Sequence, residues 1–230
     1  MYRGVLLDVY GTLVHDDDAF WPPICAEVAA RAGVTGAQVE REWTRCLHRS
    51  ADLAHGDAFR TLADLNDAGL EEAAAHFGVR VDAHRLCREQ RAFWRRPPLF
   101  DDSLPFLRAV AVPVCLVSDA DRDDLAAVLT RHGIVVDAVV TSQDARAYKP
   151  RPEPFRRALA QLGLGPGEVL HIGDSPESDV VGAQALAIDA ALVERAGPRP
   201  PAGAEPRYRV TSFTALLPLL GHRRDPAGPS

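Results

Sequence analysis

Four places in this 230-residue chain put charged or hydroxyl side chains directly behind short apolar runs. Asp8-Val9-Tyr10-Gly11-Thr12-Leu13 follows Val5-Leu6-Leu7, and Ser118-Asp119 follows Val112 to Val117. Lys149-Pro150 comes after Ala138-Val139-Val140, and Asp174-Ser175 closes the run from Val169 to Ile172, with Asp179 five residues on. Alone, Asp8 reads equally well as a turn cap behind a strand, with Gly11 giving the backbone a sharp turn. Together the four segments gather several carboxylates, a hydroxyl and an ammonium. That set suits an oxygen-bound divalent cation and an anionic substrate.

Gathering them requires that the apolar runs be parallel strands with a common C-terminal rim, where ligands bind in open α/β sheets. The runs do not alternate in polarity, as expected of strands covered on both faces. Further strands are expected at Ala190 to Val193 and near Tyr208-Arg209-Val210. Helical stretches fall between the later runs, at Asp121 to His132, Pro152 to Leu162 and Ser178 to Leu186, the first two stopped by Gly133 and Gly163. The segment from Asp16 to Pro97 differs. Its apolar residues recur at helical spacing, as in Phe20, Ile24, Val28 and Ala29 or Val39, Trp43, Cys46 and Leu47. The expectation is an insertion of four to five helices after the first strand (16–97), on a core formed by 1–15 and 98–222. Residues 223–230 read as a disordered tail.

The net charge of −6 leaves no basic footprint for nucleic acid. Cys25, Cys46, Cys87 and Cys115 form no C-x-x-C pair, and neither a disulfide framework nor a zinc site is expected. The amino terminus enters a strand at once, leaving no room for a signal peptide, and no apolar run reaches membrane-spanning length. A cytoplasmic protein, monomer or homodimer, is the expectation. Asp16-Asp17-Asp18 reads as a helix cap and solvated face, or less simply as a second metal site. Arg88, Arg91 and Arg95 share a helical face that is either solvated or closes over an anionic substrate. Arg41 and Arg45, near Trp43, are further candidates to meet an anion. His171 reads as a buried, hydrogen-bonded histidine. Trp21, Trp43 and Trp94 read as core of the insertion, with the alternative that one of them lines the substrate pocket.

In order and spacing the four motifs resemble those of the haloacid dehalogenase superfamily, and the insertion stands where its C1-capped subfamily I carries a helical cap. The resemblance implies a Rossmann-like three-layer α/β core with a parallel sheet. It implies Asp8 as a nucleophile forming an aspartyl intermediate. It also implies Thr12 and Ser118 holding the transferring group, and Lys149 neutralising charge. Gly11, Thr12, Ser118, Asp119 and Lys149 would surround the substrate. Mg²⁺ would sit on Asp8, Asp174 and the backbone carbonyl of Tyr10, with Asp179 as a further ligand or its neighbour.

Two positions depart from the pattern. Phosphatases of the family carry a second Asp where this chain has Tyr10, and a phenol is a poor base at neutral pH. Tyr is similar to the 2-haloacid dehalogenases at this position, but those resemble Ser-x-Asn where this chain has Asp174 and Pro176. The expected activity is Mg²⁺-dependent hydrolysis of a small phosphorylated, anionic metabolite. The alternatives are metal-free carbon–halogen hydrolysis and a fold retained for binding a ligand or partner.

Overall fold

The computed structural model describes residues 1–195, 197, 203 and 205–220. The expected tail at 223–230 and most of the Gly-Pro-Arg-Pro-Pro loop lie outside the described residues. The first apolar run folds as β1 (Gly4–Leu7), buried along its length. A 3-10 turn at Asp18–Phe20 then opens into α1 (Trp21–Ala32), α2 (Gly36–Leu53), α3 (Leu62–His76), α4 (Ala83–Leu86) and α5 (Arg88–Trp94). The chain continues through α6 (Ser103–Ala109), β2 (Val114–Ser118), α7 (Arg122–His132), β3 (Ala138–Thr141), α8 (Ser142–Ala145), α9 (Pro152–Leu162) and β4 (Val169–Gly173). A π-helical turn at Pro176–Val181, α10 (Gly182–Gln184), β5 (Asp189–Val193), β6 (Tyr208–Val210) and α11 (Leu217–Leu220) follow.

All strand pairs are parallel, in the order β3-β2-β1-β4-β5-β6. This is the Rossmann-like α/β sheet that the unalternating runs required. The chain leaves central β1, builds outward to β3, then crosses back to lay β4 on β1's other side. The C-terminal ends of β1 and β4 therefore flank a topological switch point, where such sheets open a crevice. One face of the sheet packs Val5, Leu7 and Leu116 with Phe106, Leu125 and Phe213. The other packs Leu6, Cys115 and Val117 with Phe155 and Val180. Burying a side chain of this size stabilises the fold by about 1.5–3 kcal/mol.

The inserted helices have a core of their own. Ile24, Val28, Val39, Leu70 and Ala73 surround Trp43, which is fully buried. Gly33 ends α1 in the left-handed region (φ 68°), and a Thr35–Gln38 capping box starts α2, so the helical hairpin is set locally. Its third member is set from elsewhere. The Asp121 carboxylate, at the head of α7, accepts the first N–H groups of α3, Leu62 N at 2.9 Å and Ala63 N at 3.0 Å. An anion at a helix N-terminus is favourable.

One helix begins differently from its sequence pattern. The stretch read from Ser178 starts at Pro176 and is wound as a π-turn to Val181. The Ser175 carbonyl accepts both Asp179 N (3.0 Å) and Val180 N (3.2 Å), the second being the wide closure of that turn. The winding carries Asp179 into the interior, where it is 1% exposed.

Candidate active site

Asp8 stands one residue beyond β1, its N–H continuing the ladder to the Ile172 carbonyl at 2.9 Å. Lys149 reaches it from the loop after α8. The Lys149 Nζ donates to Asp8 Oδ1 and to Asp179 Oδ1, both at 2.6 Å. Asp179 is fixed further by His171 Nε2 (2.9 Å) and Ser175 N (3.0 Å), and the Lys149 N–H donates to Asp119 Oδ1 at 2.9 Å. Two glycines make room. A Cβ on Gly173 would lie 2.2 Å from Asp179 Cγ, and one on Gly11 (φ +76°) would lie 2.6 Å from Asp174 Oδ2. Only glycine fits either position.

The electrostatics follow from burial against one shared cation. Burial raises the Asp8 pKa to about 6, with Lys149 offsetting part of the rise and Asp179 adding to it. Burial acts on Asp179 too, but Lys149 and His171 outweigh it and hold that carboxyl below its ordinary range. Asp119 is pushed up to about 6 by burial, against the pull of Lys149. Lys149 is fully desolvated, yet Asp179, Asp8 and Asp119 keep its pKa well above the usual value. It is a fixed positive charge at any ordinary pH.

Asp174 completes the cluster from the end of β4. Ligand oxygens of Asp8, Asp174 and Asp179 lie within 4.8 Å of one another, and all three residues are buried. Thr12 Oγ1 lies 3.4 Å from Asp174 Oδ1. Three buried carboxylates at this spacing offer oxygen donors that suit a hard divalent cation. The residues therefore fit Mg²⁺.

Asp8, Tyr10, Ser118, Asp119, Lys149, Asp174 and Asp179 open onto one pocket of about 350 Å³, whose other wall is made by the inserted helices. Thr12 and Gly11 are buried beneath it. Asp17, expected on a solvated face, is instead buried and gathers three N–H donors. These are Trp21 Nε1 (3.0 Å), Trp94 Nε1 (2.6 Å) and Gln90 Nε2 (2.7 Å). Indole N–H groups removed from water need an acceptor, and the Asp17 carboxylate supplies it to both. The Asp16–Asp18 run forms no metal cluster among the described residues. The arginine face also lies elsewhere. Arg91 pairs with Asp67 and the His84 carbonyl, Arg95 with Asp124 and Arg45 with Glu42, and none of Arg41, Arg45, Arg88, Arg91 or Arg95 lines the pocket.

Tyr10 Oη donates to the Trp94 carbonyl at 2.5 Å, tying the end of β1 to the end of α5. Burial raises its pKa, and Asp124 and Asp16 add to the rise. Sequence reasoning missed Arg195, beyond the end of β5. Its Nη2 and Nε donate to the Thr12 carbonyl (3.0 and 3.3 Å), while its guanidinium pairs with Asp102 (2.9 Å) and lies over the rings of Phe100 and Phe213. A lone Arg outside any motif gave no signal. Only the packing of β5 beside β4 brings it under the first motif.

A buried aspartate behind the first strand, paired to a lysine and flanked by carboxylates at the switch point, makes this rim the candidate catalytic site. Residues 2–186 match the haloacid dehalogenase-like hydrolase family, and the chain belongs to it. It is 28% identical over 227 residues to (S)-2-haloacid dehalogenase 4A of Burkholderia cepacia, covering 94% of this chain and 91% of that protein. It is 34% identical over 228 residues to phosphoserine phosphatase of Thermus thermophilus, covering 85% and 90%. In fold it is similar to L-2-haloacid dehalogenase from Xanthobacter autotrophicus, with a TM-score of 0.73 at 21% identity over 95% of this chain and 98% of that one. Both chemistries occur among its relatives.

Proposed function

We propose that the chain hydrolyses a small phosphorylated metabolite, with Asp8 as nucleophile and Mg²⁺ held by Asp8, Asp174 and the Tyr10 backbone carbonyl. The observation that carries this reading is Asp174. Its carboxylate meets those of Asp8 and Asp179, and three buried carboxylates with ligand oxygens within 4.8 Å of one another form a donor set that suits a divalent cation. Lys149 keeps Asp8 ionised despite its burial and orients the attacking oxygen. Thr12 and Ser118 offer hydroxyls to the transferring group, and Asp119 positions Lys149 through its backbone N–H. When bound, Mg²⁺ supplies fixed positive charge that stabilises the oxygens of the phosphoryl group as negative charge develops on them. The inserted helices act as the cap, closing the pocket to water and contacting the leaving group.

The reading is tested by turnover of a panel of phosphorylated metabolites, acyl phosphates and 2-haloacids, each with Mg²⁺ and with chelator. Phosphate release that needs Mg²⁺ and vanishes in Asp8→Asn is expected. A second reading, carbon–halogen hydrolysis, is favoured by Tyr10. Its phenolic proton is given to the Trp94 carbonyl, and a halide needs no proton to leave. Halide release that survives chelator would replace the first reading by the second.

A further inference from the structure

Tyr10 occupies the place of the acid/base in the first motif, but its phenol is turned to the Trp94 carbonyl and cannot serve as a base near neutrality. Hydrolysis of a phosphate ester still needs a proton for the departing alkoxide and a base for the attacking water. The other carboxylates of the pocket are engaged. Asp8, Asp174 and Asp179 form the nucleophile cluster, and Asp119 receives the Lys149 N–H. Asp17 holds two indoles and Gln90, Asp121 caps α3, and Asp124 pairs with Arg95 at 3.3 Å. Asp16 alone is left. Its single hydrogen bond among the described residues is from Asp17 N to Oδ1 (2.9 Å), and no cation there pairs with it.

The backbone brings Asp16 to the right end of the pocket. Gly11 N donates to the Val14 carbonyl at 2.8 Å and Tyr10 bridges Val14, so the loop doubles back beside Tyr10. Asp16, two residues further, lines the same pocket as Asp8. The residue keeps contact with solvent, while protein atoms crowd its carboxyl group.

Resting on the phosphatase reading, we propose that Asp16 is the general acid and base of this chain, replacing the aspartate absent at position 10. In the first step an Asp8 oxygen attacks phosphorus and the P–O bond to the alcohol breaks. Its electron pair stays on the alkoxide oxygen, which takes the Asp16 proton. In the second step water attacks the aspartyl phosphate and gives its proton to the Asp16 carboxylate. The P–O bond to Asp8 breaks, returning its electrons to Asp8, and inorganic phosphate is released.

The electrostatics support this role. The charges that act on Asp16 are those of Asp17 and Asp18 on its own loop and of Asp8 behind β1, and Asp16 acts in turn on Tyr10. Asp121, Asp124 and Lys149 line the same pocket. Burial, then Asp17, raises the Asp16 pKa to about 7, opposed only by the Asp17 N–H. A catalytic acid/base performs best with its pKa near the working pH.

The test uses the full-length protein with Mg²⁺ and two probes, phenyl phosphate, whose leaving group needs a proton, and 2,4-dinitrophenyl phosphate, whose leaving group does not. In Asp16→Asn, kcat/KM for phenyl phosphate should fall by about 10²–10⁴-fold. For the dinitrophenyl ester kcat/KM should stay near wild type while kcat drops, because the water step is common to both. The wild-type kcat/KM for phenyl phosphate should decline as pH rises through about 7, where Asp16 loses its proton, and Asp16→Asn should lack that limb. Adding Tyr10→Asp to Asp16→Asn should restore part of the rate. Equal loss on both probes, no loss, or a retained high-pH limb would overturn the assignment. If the wild type gives no Asp8-dependent release from either probe, the phosphatase reading falls first and takes this one with it.

Discussion

The two walls of the pocket are built on different principles. The core wall is a set of strand ends. Asp8, Ser118 and Asp174 sit where parallel strands stop, and their positions are fixed by the ladder that registers Leu7 with Leu116 and Ile172. The wall from the inserted helices is a hydrogen-bond network hung on one buried carboxylate, Asp17, which joins Trp21 of α1, Gln90 and Trp94 of α5 and, through Gln90, Asn66 of α3. The first wall holds ionic groups around a cation, and the second holds neutral donors around an anion. Chemistry needs charges in fixed places, which a sheet provides. Substrate choice needs a surface that can vary, which packed helices provide.

The sharpest way to break the core wall is to remove the ammonium that Asp8 and Asp179 share. In Lys149→Met, Asp8 and Asp179 remain buried and lose their shared partner, which costs about 3–5 kcal/mol. The effect should depend on pH with a definite sign. Asp8 already has its pKa raised to about 6 with Lys149 present, and losing the ammonium raises it further. The folded state of the variant then binds more protons than the unfolded one, so its stability falls as pH rises from 5 to 8. Urea denaturation in chelator at the two pH values measures this. A penalty equal at both would mean that the carboxylates are not electrostatically coupled through Lys149.

The helical wall should respond less. Asp17→Asn replaces one carboxylate oxygen by an NH₂ that cannot accept from Trp21, or from Trp94 and Gln90, depending on which way the amide turns. Leaving a buried donor unsatisfied costs about 1–3 kcal/mol. Thermal unfolding should register that loss, and tryptophan fluorescence should report the loosened indoles. Under the proposed phosphatase activity, release of phosphate from a substrate with a good leaving group should change little, since Asp8, Lys149, Asp174 and Asp179 are untouched. A collapse of that activity would show that the two walls are not separable.

The same contrast explains what the sequence disclosed. The strands, their parallel direction and the polar residues behind them were legible, because four unalternating apolar runs each followed by polar residues agree with one another in an α/β sheet, where any one alone would be ambiguous. Asp8, Lys149, Asp174 and Asp179 could be gathered without coordinates for that reason. The partners in the helical wall could not. Asp17 looked like a solvated member of an acidic run, and its three donors come from as far away as Trp94, 77 positions along. The arginine face was visible as spacing, but spacing does not say that Arg91 turns to Asp67 and Arg95 to Asp124. Arg195 was invisible for a related reason, since its target is a backbone carbonyl, which every residue possesses.

Tyr10 belongs to both walls, and its removal is the mildest and most discriminating change. Its backbone is part of the first motif, while its hydroxyl donates to the Trp94 carbonyl of α5. Tyr10→Phe deletes that one bond and keeps the ring, so a loss of about 0.5–1.5 kcal/mol is expected. The consequence for rate separates three possibilities. If the phenol is only a tie, the good-leaving-group and poor-leaving-group substrates should slow together and slightly, through a higher KM as the helical wall loosens. If it donates the proton to the leaving alcohol, kcat/KM should fall about 10²–10⁴-fold for poor leaving groups alone. If the substrate is a haloacid, that selectivity has no meaning and halide release should persist. The geometry favours the first outcome, because a proton already given to a peptide carbonyl inside the protein is not poised for a leaving group in the pocket.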